Sequence, residues 1–401
     1  MPPPLTSEAN PAALVENRQR PLRVLHLIAV LASGGVERWV VNLCEAGRSD
    51  GLDMDMAVLF DRDGLFATRA RESGINVYHC DAAASPFKLV RTLRRLLREH
   101  GPYDALHCHV HAFNAFAVLA ARLENVPARV AHSHNVVQNS AKSTARRFYI
   151  AFARNLLRMF ATAGLAPAAA AAEDLFGPRW RDEPRWQVLP CGLDLAPFRA
   201  PVPASSSRAS FGIPPTALVL GSVGRLCTEK NSGFLLDVLF AVLRTRPDAY
   251  LLLIGEGPLR EALEQEAQSQ GYRDRLILTG PRPDVPALLR NVMDVFVFPS
   301  PPPPLGNEAL PLAMVEAQAA GLNIVASDGV PPEAIIVPDL VIQIRADAGA
   351  ERWAEAVLKQ AGARDPEISR RALVTIEKSG HNCEVNMKVL AALYRGDSLV
   401  D

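Results

Sequence analysis

Near-continuous runs of apolar residues divide the chain into short segments that we predict to be buried strands. The clearest runs cover residues 23–31, 54–60, 218–223, 249–254 and 294–299. A strand that is apolar on both faces is typical of a parallel sheet covered by helices on both sides. Stretches with helical periodicity separate these runs. This alternation predicts an α/β protein with parallel sheets.

Two of the predicted helices carry a basic face. They cover residues 87–100 and 142–160, and their cations are Lys88, Arg91, Arg94, Arg95, Arg98, Arg146, Arg147, Arg154 and Arg158. Basic helix faces are most often simply solvated, but they also occur on helices that lie on anionic membranes. Both interpretations stay open at this point.

Composition predicts the number of domains and the cellular compartment of the protein. The chain has 401 residues, of which 49% are hydrophobic, and this predicts two globular domains with ample cores. Acidic and basic residues number 43 each, so nucleic acid is not expected as the main partner. Six scattered cysteines without a CxxC motif indicate reduced thiols of a cytoplasmic protein. Residues 1–20 have no signal-peptide core and are expected to be a disordered lead-in. Residues 159–172 are uncharged, but the segment is too short to span a bilayer.

Residues 299–321 contain the strongest candidate for a binding site. Pro311 occupies a predicted first helical position, the helix continues to Ala320, and Gly321 is expected to end it. Glu308 then lies in the loop before the helix and Glu316 lies within its first two turns. One ligand could contact both carboxylates and the free amides near Leu310, and each carboxylate can accept hydrogen bonds from vicinal hydroxyls. The alternative is that both are ordinary solvated residues.

Two turns between a predicted strand and a predicted helix carry further candidates. Gly34 and Gly35 follow the first strand and would let the backbone approach a ligand at a helix N-terminus, although a mere tight turn is the alternative. Arg225 and Lys230 flank the second turn, where two cations could neutralise a diphosphate without a metal. Two unremarkable surface cations are the alternative for that pair.

Histidines and one D-x-D motif are candidates for metal binding, but metal is not favoured for either. His107, His109 and His111 alternate and are predicted to share one strand face, which could bind zinc or simply be a polar strand end. The carboxylates of Asp53 and Asp55 are interpreted as a polar strand start. We therefore predict no metal site.

His132 and His134 end another predicted strand. Ligands of doubly wound sheets bind beyond the carboxyl ends of the strands, so both residues are placed near a ligand. A structural role for His134 is the alternative that the residues alone favour.

Four of these motifs together resemble the donor-site signature of retaining GT-B glycosyltransferases of family 4, also called group 1. They are the GGxE element at 34–37, AHSHN at 131–135, GR-x4-KN at 224–231 and E-x7-E at 308–316. The resemblance covers about residues 22–396 and is strongest to the branch that synthesises capsular polysaccharide and exopolysaccharide. Three departures stand out: Ala309 replaces a glycine, a proline run at 301–304 lengthens the loop, and Cys191 replaces an asparagine.

The resemblance implies two Rossmann-like doubly wound domains facing across a cleft. It implies an acceptor-side domain at 21–198, a nucleotide-sugar domain at 199–378, and a final helix within 379–401 that packs back on the first domain. It also implies site roles. Arg225 and Lys230, with the amides of Gly34 and Gly35, would hold the diphosphate, and Glu316 would hold the ribose. Glu308 and the Leu310 segment would position the donor sugar, His134 would orient sugar or acceptor, and Arg282 would lie beside the nucleobase.

The expected activity is the transfer of a sugar from a UDP- or GDP-linked donor to a hydroxyl acceptor, with retention at the anomeric carbon. The acceptor would be lipid-linked or a growing surface polysaccharide, and no cofactor other than the donor is expected. A cytoplasmic enzyme with peripheral contact to the inner membrane face would suit such an acceptor. The alternatives are a non-catalytic glycan- or lipid-binding module, a nucleotide-sugar epimerase and an NAD oxidoreductase. The last is disfavoured because the glycines at 255 and 257 lack the third glycine of a dinucleotide fingerprint.

Overall fold

The computed structural model describes residues 20–32, 34–60, 64–82, 85–136, 143–301, 308–362 and 364–397. The predicted N-terminal lead-in, apart from Arg20, lies outside these ranges, as do residues 302–304 of the proline run and residue 142 of the second basic helix.

The first half of the chain forms a parallel sheet of seven described strands in the order β3-β2-β1-β4-β5-β6-β7. The strands are β1 (Leu22–Ile28), β2 (Leu52–Val58), β3 (Val77–His79), β4 (Ala105–Cys108), β5 (Ala128–His132), β6 (Ala163–Ala166) and β7 (Trp186–Val188). Its helices are α1 (Gly35–Gly47), α2 (Leu65–Glu72), α3 (Pro86–His100), α4 (Asn114–Leu123), α5 (Thr144–Phe160), α6 (Ala169–Phe176) and α7 (Ala196–Arg199).

Helix α3 illustrates how the sequence forms these elements. It begins after Ser85, whose hydroxyl accepts a hydrogen bond from the amide of Lys88, and Pro86 tolerates the first helical position because its missing N–H would be unpaired there. Its buried leucines recur at helical spacing, at 89, 93, 96 and 97. The cations between them face outward, so burial of one face fixes the direction of the basic face.

The second half forms a parallel sheet of six described strands in the order β10-β9-β8-β11-β12-β13. The strands are β8 (Val219–Val223), β9 (Tyr250–Ile254), β10 (Leu276–Leu278), β11 (Val295–Phe298), β12 (Asn323–Ser327) and β13 (Val341–Ile344). The helices are α8 (Ser232–Leu243), α9 (Arg260–Ser269), α10 (Val285–Asn291), α11 (Leu312–Ala319), α12 (Gly349–Gln360), α13 (Pro366–Glu377) and α14 (Cys383–Arg395). The predicted α/β fold with parallel sheets is confirmed.

Strand order places the ligand crevice of each sheet. In the first sheet, the order in which successive strands are added reverses between β1 and β4, and in the second sheet it reverses between β8 and β11. At such a reversal, the loops that follow the two neighbouring strands run to opposite faces of the sheet. Their separation opens a crevice at the carboxyl ends of these strands. The candidate residues of the sequence follow β1, β5, β8 and β11, so a site is expected at these strand ends.

The last helix, α14, lies against the first sheet although it follows the second in the chain. Asn386 of α14 accepts hydrogen bonds from the indole N–H of Trp39 at 3.0 Å and from the amide of Gly192 at 2.6 Å. The carbonyl of His381 accepts a hydrogen bond from the amide of Leu193 at 2.7 Å. The segment before α7 is thus tied to the start of α14. The domain boundaries at 20, 198 and 378 remain predictions.

Two further properties bear on location. The six cysteines, at 44, 80, 108, 191, 227 and 383, are buried free thiols. Within the described ranges, no helix combines the length and the hydrophobicity needed to cross a bilayer.

Candidate active site

The turn after β8 holds Arg225 and Lys230 at the crevice of the second sheet. Lys230 ends a 3-10 turn, Asn231 adopts a left-handed conformation with φ of 54°, and α8 begins at the next residue. The Asn231 side-chain amide donates a hydrogen bond of 3.1 Å to the carbonyl of Pro299, which follows β11. This bond joins the two loops that flank the crevice. A cavity of about 20 Å³ there is lined by Gly224, Arg225 and Lys230, among others.

Lys230 forms an ion pair with Glu308, whose side chain is 19% exposed. Burial lowers the pKa of Lys230 to about 8; the Arg225 charge acts in the same direction and the Glu229 charge against it. The backbone of Glu308 also pairs with that of Asn135, just beyond β5 of the first sheet. Glu308 therefore lies where the two halves of the molecule meet.

Glu316 is 3% exposed and lies inside α11. The guanidinium of Arg38, from α1 of the first half, donates a hydrogen bond of 2.7 Å to its Oε1 atom. Burial raises the pKa of Glu316, and the Arg38 charge and hydrogen bond act against that rise. Both acidic residues of the E-x7-E motif are thus paired with a cation, Glu308 within its own half and Glu316 across the cleft.

The first turn of α1 packs against the first turn of α11. A Cβ atom placed on Gly35 would lie 2.9 Å from Cδ1 of Leu312, so the absence of a side chain permits this approach. Gly34 caps α1, and its own Cβ would overlap the carboxylate of Glu37. The structure therefore brings Gly34 and Gly35 to the helix that carries Glu316, as a shared ligand requires.

His134 lies two residues beyond β5, next to Asn135 and so close to Glu308. Its Nε2 atom is 2.8 Å from Nδ1 of His109, and its Nδ1 atom is 3.6 Å from the sulfur of Cys191. Burial lowers the pKa of His134 to about 3, so the imidazole is neutral at neutral pH. Both ring nitrogens have protein partners, which means that a ligand must displace one of them, and the weaker contact is that with Cys191.

The remaining predicted site residues are Arg282 and Leu310. The guanidinium of Arg282, in the loop after β10, forms two hydrogen bonds of 2.8 Å with Asp284. Leu310 is half-buried and lies two residues before α11. Glu308, Glu316, Arg38 and Lys230 therefore form the charged centre of the site.

Two predictions about local structure were wrong. His111 does not share a face with His107 and His109, because β4 ends at Cys108 and His111 begins a 3-10 turn with φ of 53°; its ring lies 2.8 Å from the Asp174 carboxylate. Pro311 is the residue before the first helical position rather than that position itself, since its ψ of 92° is extended. Gly321, with φ of 64°, ends α11 as predicted.

Asp55 of the D-x-D motif lies within β2, where it accepts hydrogen bonds from Tyr103 at 2.7 Å and Asn76 at 2.8 Å. These bonds occupy the carboxylate in the interior of the sheet. Sequence reasoning missed Arg38, whose only signal is its place one residue after the GGxE element. It also missed His26, which stands inside an apolar strand.

Family models match both halves of the chain. The model of the family "Glycosyl transferases group 1" matches residues 204–363, and that of the "Glycosyl transferase 4-like domain" matches residues 34–192. EpsF of Bacillus subtilis (strain 168), which is named as a glycosyltransferase, is 31% identical over 93% of this chain and 96% of its own. A UDP-Gal:alpha-D-GlcNAc-diphosphoundecaprenol alpha-1,3-galactosyltransferase of Escherichia coli is 27% identical over 77% of this chain and 79% of its own.

Solved structures show the same architecture. Anabaena HepE in complex with UDP superposes with a TM-score of 0.74 at 19% identity, covering 94% of this chain and all of the other. WaaG, a glycosyltransferase involved in lipopolysaccharide biosynthesis, gives a TM-score of 0.67 at 16% identity over 91% of this chain and 99% of the other.

The two Rossmann-like sheets and the cleft between them are the GT-B fold, the architecture of a glycosyltransferase. The chain belongs to the group 1 glycosyl transferases. It is accordingly an enzyme that transfers hexosyl groups, and one of its relatives, LpsD of Rhizobium meliloti (strain 1021), is named for lipopolysaccharide core biosynthesis.

Proposed function

We propose that the enzyme transfers a sugar from a UDP- or GDP-linked donor to a hydroxyl group of a lipid-linked or growing surface polysaccharide, with retention at the anomeric carbon. The observation that carries the proposal is the convergence of two cations and two carboxylates at one cleft, between the crevices of two parallel sheets. The relatives favour UDP as the first donor to test. HepE was solved with UDP-glucose, and the Escherichia coli relative is named for UDP-Gal and a diphosphoundecaprenol acceptor.

The cations would serve the leaving group. Negative charge grows on the departing diphosphate, and preorganised donors that face this charge stabilise the transition state. Arg225 is exposed and Lys230 partly exposed at the turn after β8, so both can contact a diphosphate without rearrangement of the backbone. The N-terminal amides of α1 at Gly34 and Gly35 would add a positive dipole end. In this proposal the protein itself supplies the charge that neutralises the diphosphate.

Donor binding would exchange partners within the site. Glu308 would leave Lys230 for sugar hydroxyls while Lys230 turns to the diphosphate, and Glu316 would accept hydrogen bonds from the ribose hydroxyls. His134, released from Cys191, would orient the sugar or the acceptor hydroxyl. The bond from the anomeric carbon to the diphosphate oxygen breaks, the acceptor oxygen bonds to the same carbon on the same face, and the acceptor proton passes to the departing phosphate oxygen.

A thermal-shift panel of nucleoside diphosphates and their sugars, with and without EDTA, tests the donor site. A ligand that binds only the native state raises the melting temperature by mass action. We expect a shift with one nucleotide that persists in EDTA, followed by sugar transfer or slow donor hydrolysis. The Lys230→Ala variant should lose both the shift and at least about a hundredfold in turnover, the scale of one lost transition-state donor.

The control is Arg244→Ala, which removes an exposed cation from an ion pair with Glu351 outside the site. Near-wild-type turnover in Lys230→Ala would refute the site. Binding without transfer or hydrolysis would favour the non-catalytic module, and conversion of the free nucleotide sugar to an isomer would favour the epimerase.

We also propose peripheral contact with an anionic membrane through α3 and α5. Phe87 is 89% exposed at the start of α3, Phe148 is 71% exposed on α5, and Met159 is 69% exposed near the end of α5. Arginines flank these apolar side chains, and a groove of about 990 Å³ between the two helices is lined by both kinds of residue. Such a mixture suits a headgroup surface, because the apolar groups insert while the cations meet anionic lipids. Contact there would place the enzyme at the cytoplasmic face, where its free thiols also stay reduced.

Co-sedimentation with vesicles tests this contact. We expect binding to vesicles with anionic lipid, weaker binding to purely zwitterionic vesicles, and loss of binding at high salt. The double variant Phe87→Ser, Phe148→Ser should bind less, whereas Val374→Ser, an exposed apolar residue of the second half, should not. Equal binding to both kinds of vesicle, or to none, would contradict the proposal.

A further inference from the structure

Five histidines meet inside the first half of the molecule. His26 of β1 lies directly opposite His107 of β4 in the strand register, and His109, His132 and His134 complete the group. The closest ring centroids are 4.1 Å apart for His132 and His134 and 4.2 Å apart for His107 and His109. His26, His107 and His132 are fully buried. The cluster occupies the carboxyl ends of the three central strands.

Hydrogen bonds between protein groups do not satisfy this cluster. One chain of contacts runs from Cys191 through His134 and His109 to His26, and a second runs from the hydroxyl of Tyr394 through His107 to His132. Each chain ends at a buried Nε2 atom, of His26 and of His132, without a hydrogen-bond partner among the described residues. A proton conduit needs an exit at both ends, so these chains are poorly suited to that role. A buried polar atom without a partner is unfavourable, so hydrogen bonds among the described residues do not by themselves account for this cluster.

Nitrogen atoms of three of these rings have the spacing of metal ligands. One ring nitrogen each from His26, His107 and His109 lies within 4.8 Å of the other two. The Nδ1 atom of His26 and the Nε2 atom of His109 are 3.1 Å apart. Two ligands at about 2.0–2.1 Å from a tetrahedral zinc ion are separated by about 3.3 Å, so the observed pair needs only a small adjustment. Imidazole is a ligand that zinc and its neighbours in the first transition series accept readily.

We propose that His26, His107 and His109 bind one divalent transition-metal ion of the zinc class. The hydroxyl of Tyr394, 2.7 Å from His107 Nδ1, lies near enough to supply or orient a fourth ligand. His109 uses Nε2 for the ion and keeps Nδ1 for His134, which it then holds by a hydrogen bond. The ion therefore orients His134 through His109 and does not bind His134 itself. It also connects β1, β4 and α14.

A second set of three, His109, His132 and His134, also satisfies the distance condition. It shares His109 with the first set and would consume His134, which faces the cleft. We favour the first set because both of its other members are fully buried and lie on paired strands, which hold their positions more rigidly. One ion per chain is expected. Binding of the ion requires neither the donor nor the acceptor proposed above, although His109 reaches that site through its contact with His134.

Metal content and cobalt spectroscopy test the site. Full-length protein, freed of any affinity tag, should carry about one zinc-class ion per chain by plasma mass spectrometry. The metal-free protein should take up one equivalent of Co(II) with the visible absorption bands of a low-symmetry site, and its melting temperature should rise with Zn(II). Folded protein that contains no metal and shows no cobalt bands would overturn the proposal.

Variants then locate the ion. His26→Gln should weaken Co(II) binding by at least about tenfold, the lower range for damage to a metal site. His111→Gln, which removes the ring beside Asp174, should bind as the wild type does, and His132→Gln, which removes only a hydrogen-bond partner of His107, should weaken binding less than His26→Gln does. Loss of binding in His132→Gln with retention in His26→Gln would overturn the proposal in favour of the second set. If His26→Gln does not fold, the wild-type titration still decides whether an ion binds.

Discussion

The guanidinium of Arg38 donates a hydrogen bond of 2.7 Å to Oε1 of Glu316, across the cleft between the two sheets. The carboxylate is almost fully buried, whereas the arginine side chain keeps 31% of its exposure. Arg38 therefore compensates the charge of a residue that we expect to contact ribose. The pair links the proposed donor site to the relative position of the two halves.

Removal of Arg38 should destabilise the protein in a pH-dependent way. Arg38→Ala leaves the Glu316 charge buried without its partner, which we expect to cost about 1–3 kcal/mol near pH 8, since the arginine is partly solvated. Burial already raises the pKa of Glu316, and loss of the arginine raises it further, so the carboxyl can take up a proton as the pH falls. The cost should therefore shrink towards pH 5. Urea unfolding of both proteins at the two pH values measures the difference.

The matched double variant Arg38→Ala, Glu316→Gln should recover most of the lost stability, because no buried charge then remains. A cost that is the same at both pH values, or no recovery in the double variant, would show that the pair has little energetic weight.

Nucleotide affinity should fall as the pH rises above about 8. Burial lowers the pKa of Lys230, which forms an ion pair with Glu308, to about 8. Above the pKa the amine is neutral and no longer attracts a diphosphate. Isothermal titration with UDP between pH 7 and 9.5 should thus show a decline of up to about tenfold per pH unit.

Two variants test whether the deprotonation of Lys230 causes that decline in affinity. Lys230→Arg should remove it, because guanidinium stays charged throughout this range. Glu308→Gln should move its onset to lower pH, because the neighbouring negative charge is lost. An unchanged profile in Lys230→Arg would mean that another group titrates.

Gly192 should tolerate no side chain. Its Cβ would lie 2.5 Å from the backbone of residues 382 and 383, where the chain enters α14. Gly192→Ala must therefore displace α14 from the first sheet, and we expect a loss of about 1–3 kcal/mol or more, as for other overpacked sites. Gly233→Ala is the control, since its Cβ would meet no atom within 4 Å and alanine is the better helix residue. Chemical denaturation compares the two, and equal stabilities would contradict the predicted clash.

The protein should be acid-sensitive below about pH 6.5. Burial lowers the pKa of His26 to about 3 and keeps those of His107, His109 and His132 well below their usual range. The unfolded chain then binds protons that the folded chain cannot, so stability falls as the pH drops below the ordinary histidine pKa of about 6.5. Each such histidine lowers the free energy of unfolding by about 1.4 kcal/mol per pH unit below that value.

Urea unfolding of metal-free protein at pH 7.5, 6.5 and 5.5 measures this decline. His132→Asn should reduce the slope by about one proton. A flat profile below pH 6.5 would mean that the cluster takes up protons without loss of the fold.

Local patterns predicted the elements that burial determines. The apolar run at 23–31 became β1, and the Ala-rich segment after Pro311 became α11, which ends at Gly321. Arg225 and Lys230 were placed on a strand–turn–helix junction because turn residues and periodicity are local signals.

The pairing of distant residues could not be predicted in this way. Arg38 and Glu316 are separated by 278 positions, and their contact depends on how two sheets face each other. His26 seemed an ordinary member of a buried strand until strand order placed β4 beside it and β5 next to β4. His111 followed an alternating pattern that ended when the strand did. Motif resemblance supplied the roles of Glu308 and His134, which geometry alone leaves open.

Helix α14 also has a consequence for biosynthesis. Residues 383–395 supply Tyr394 and Asn386 to the interior of a sheet whose last strand ends at residue 188. During translation, α14 cannot pack on that sheet until nearly two hundred further residues, on the order of a whole domain, have left the ribosome. Until then, Trp39 and the histidines are incompletely covered. We therefore expect chaperone binding and aggregation to compete most directly while only the first half of the chain has been synthesised.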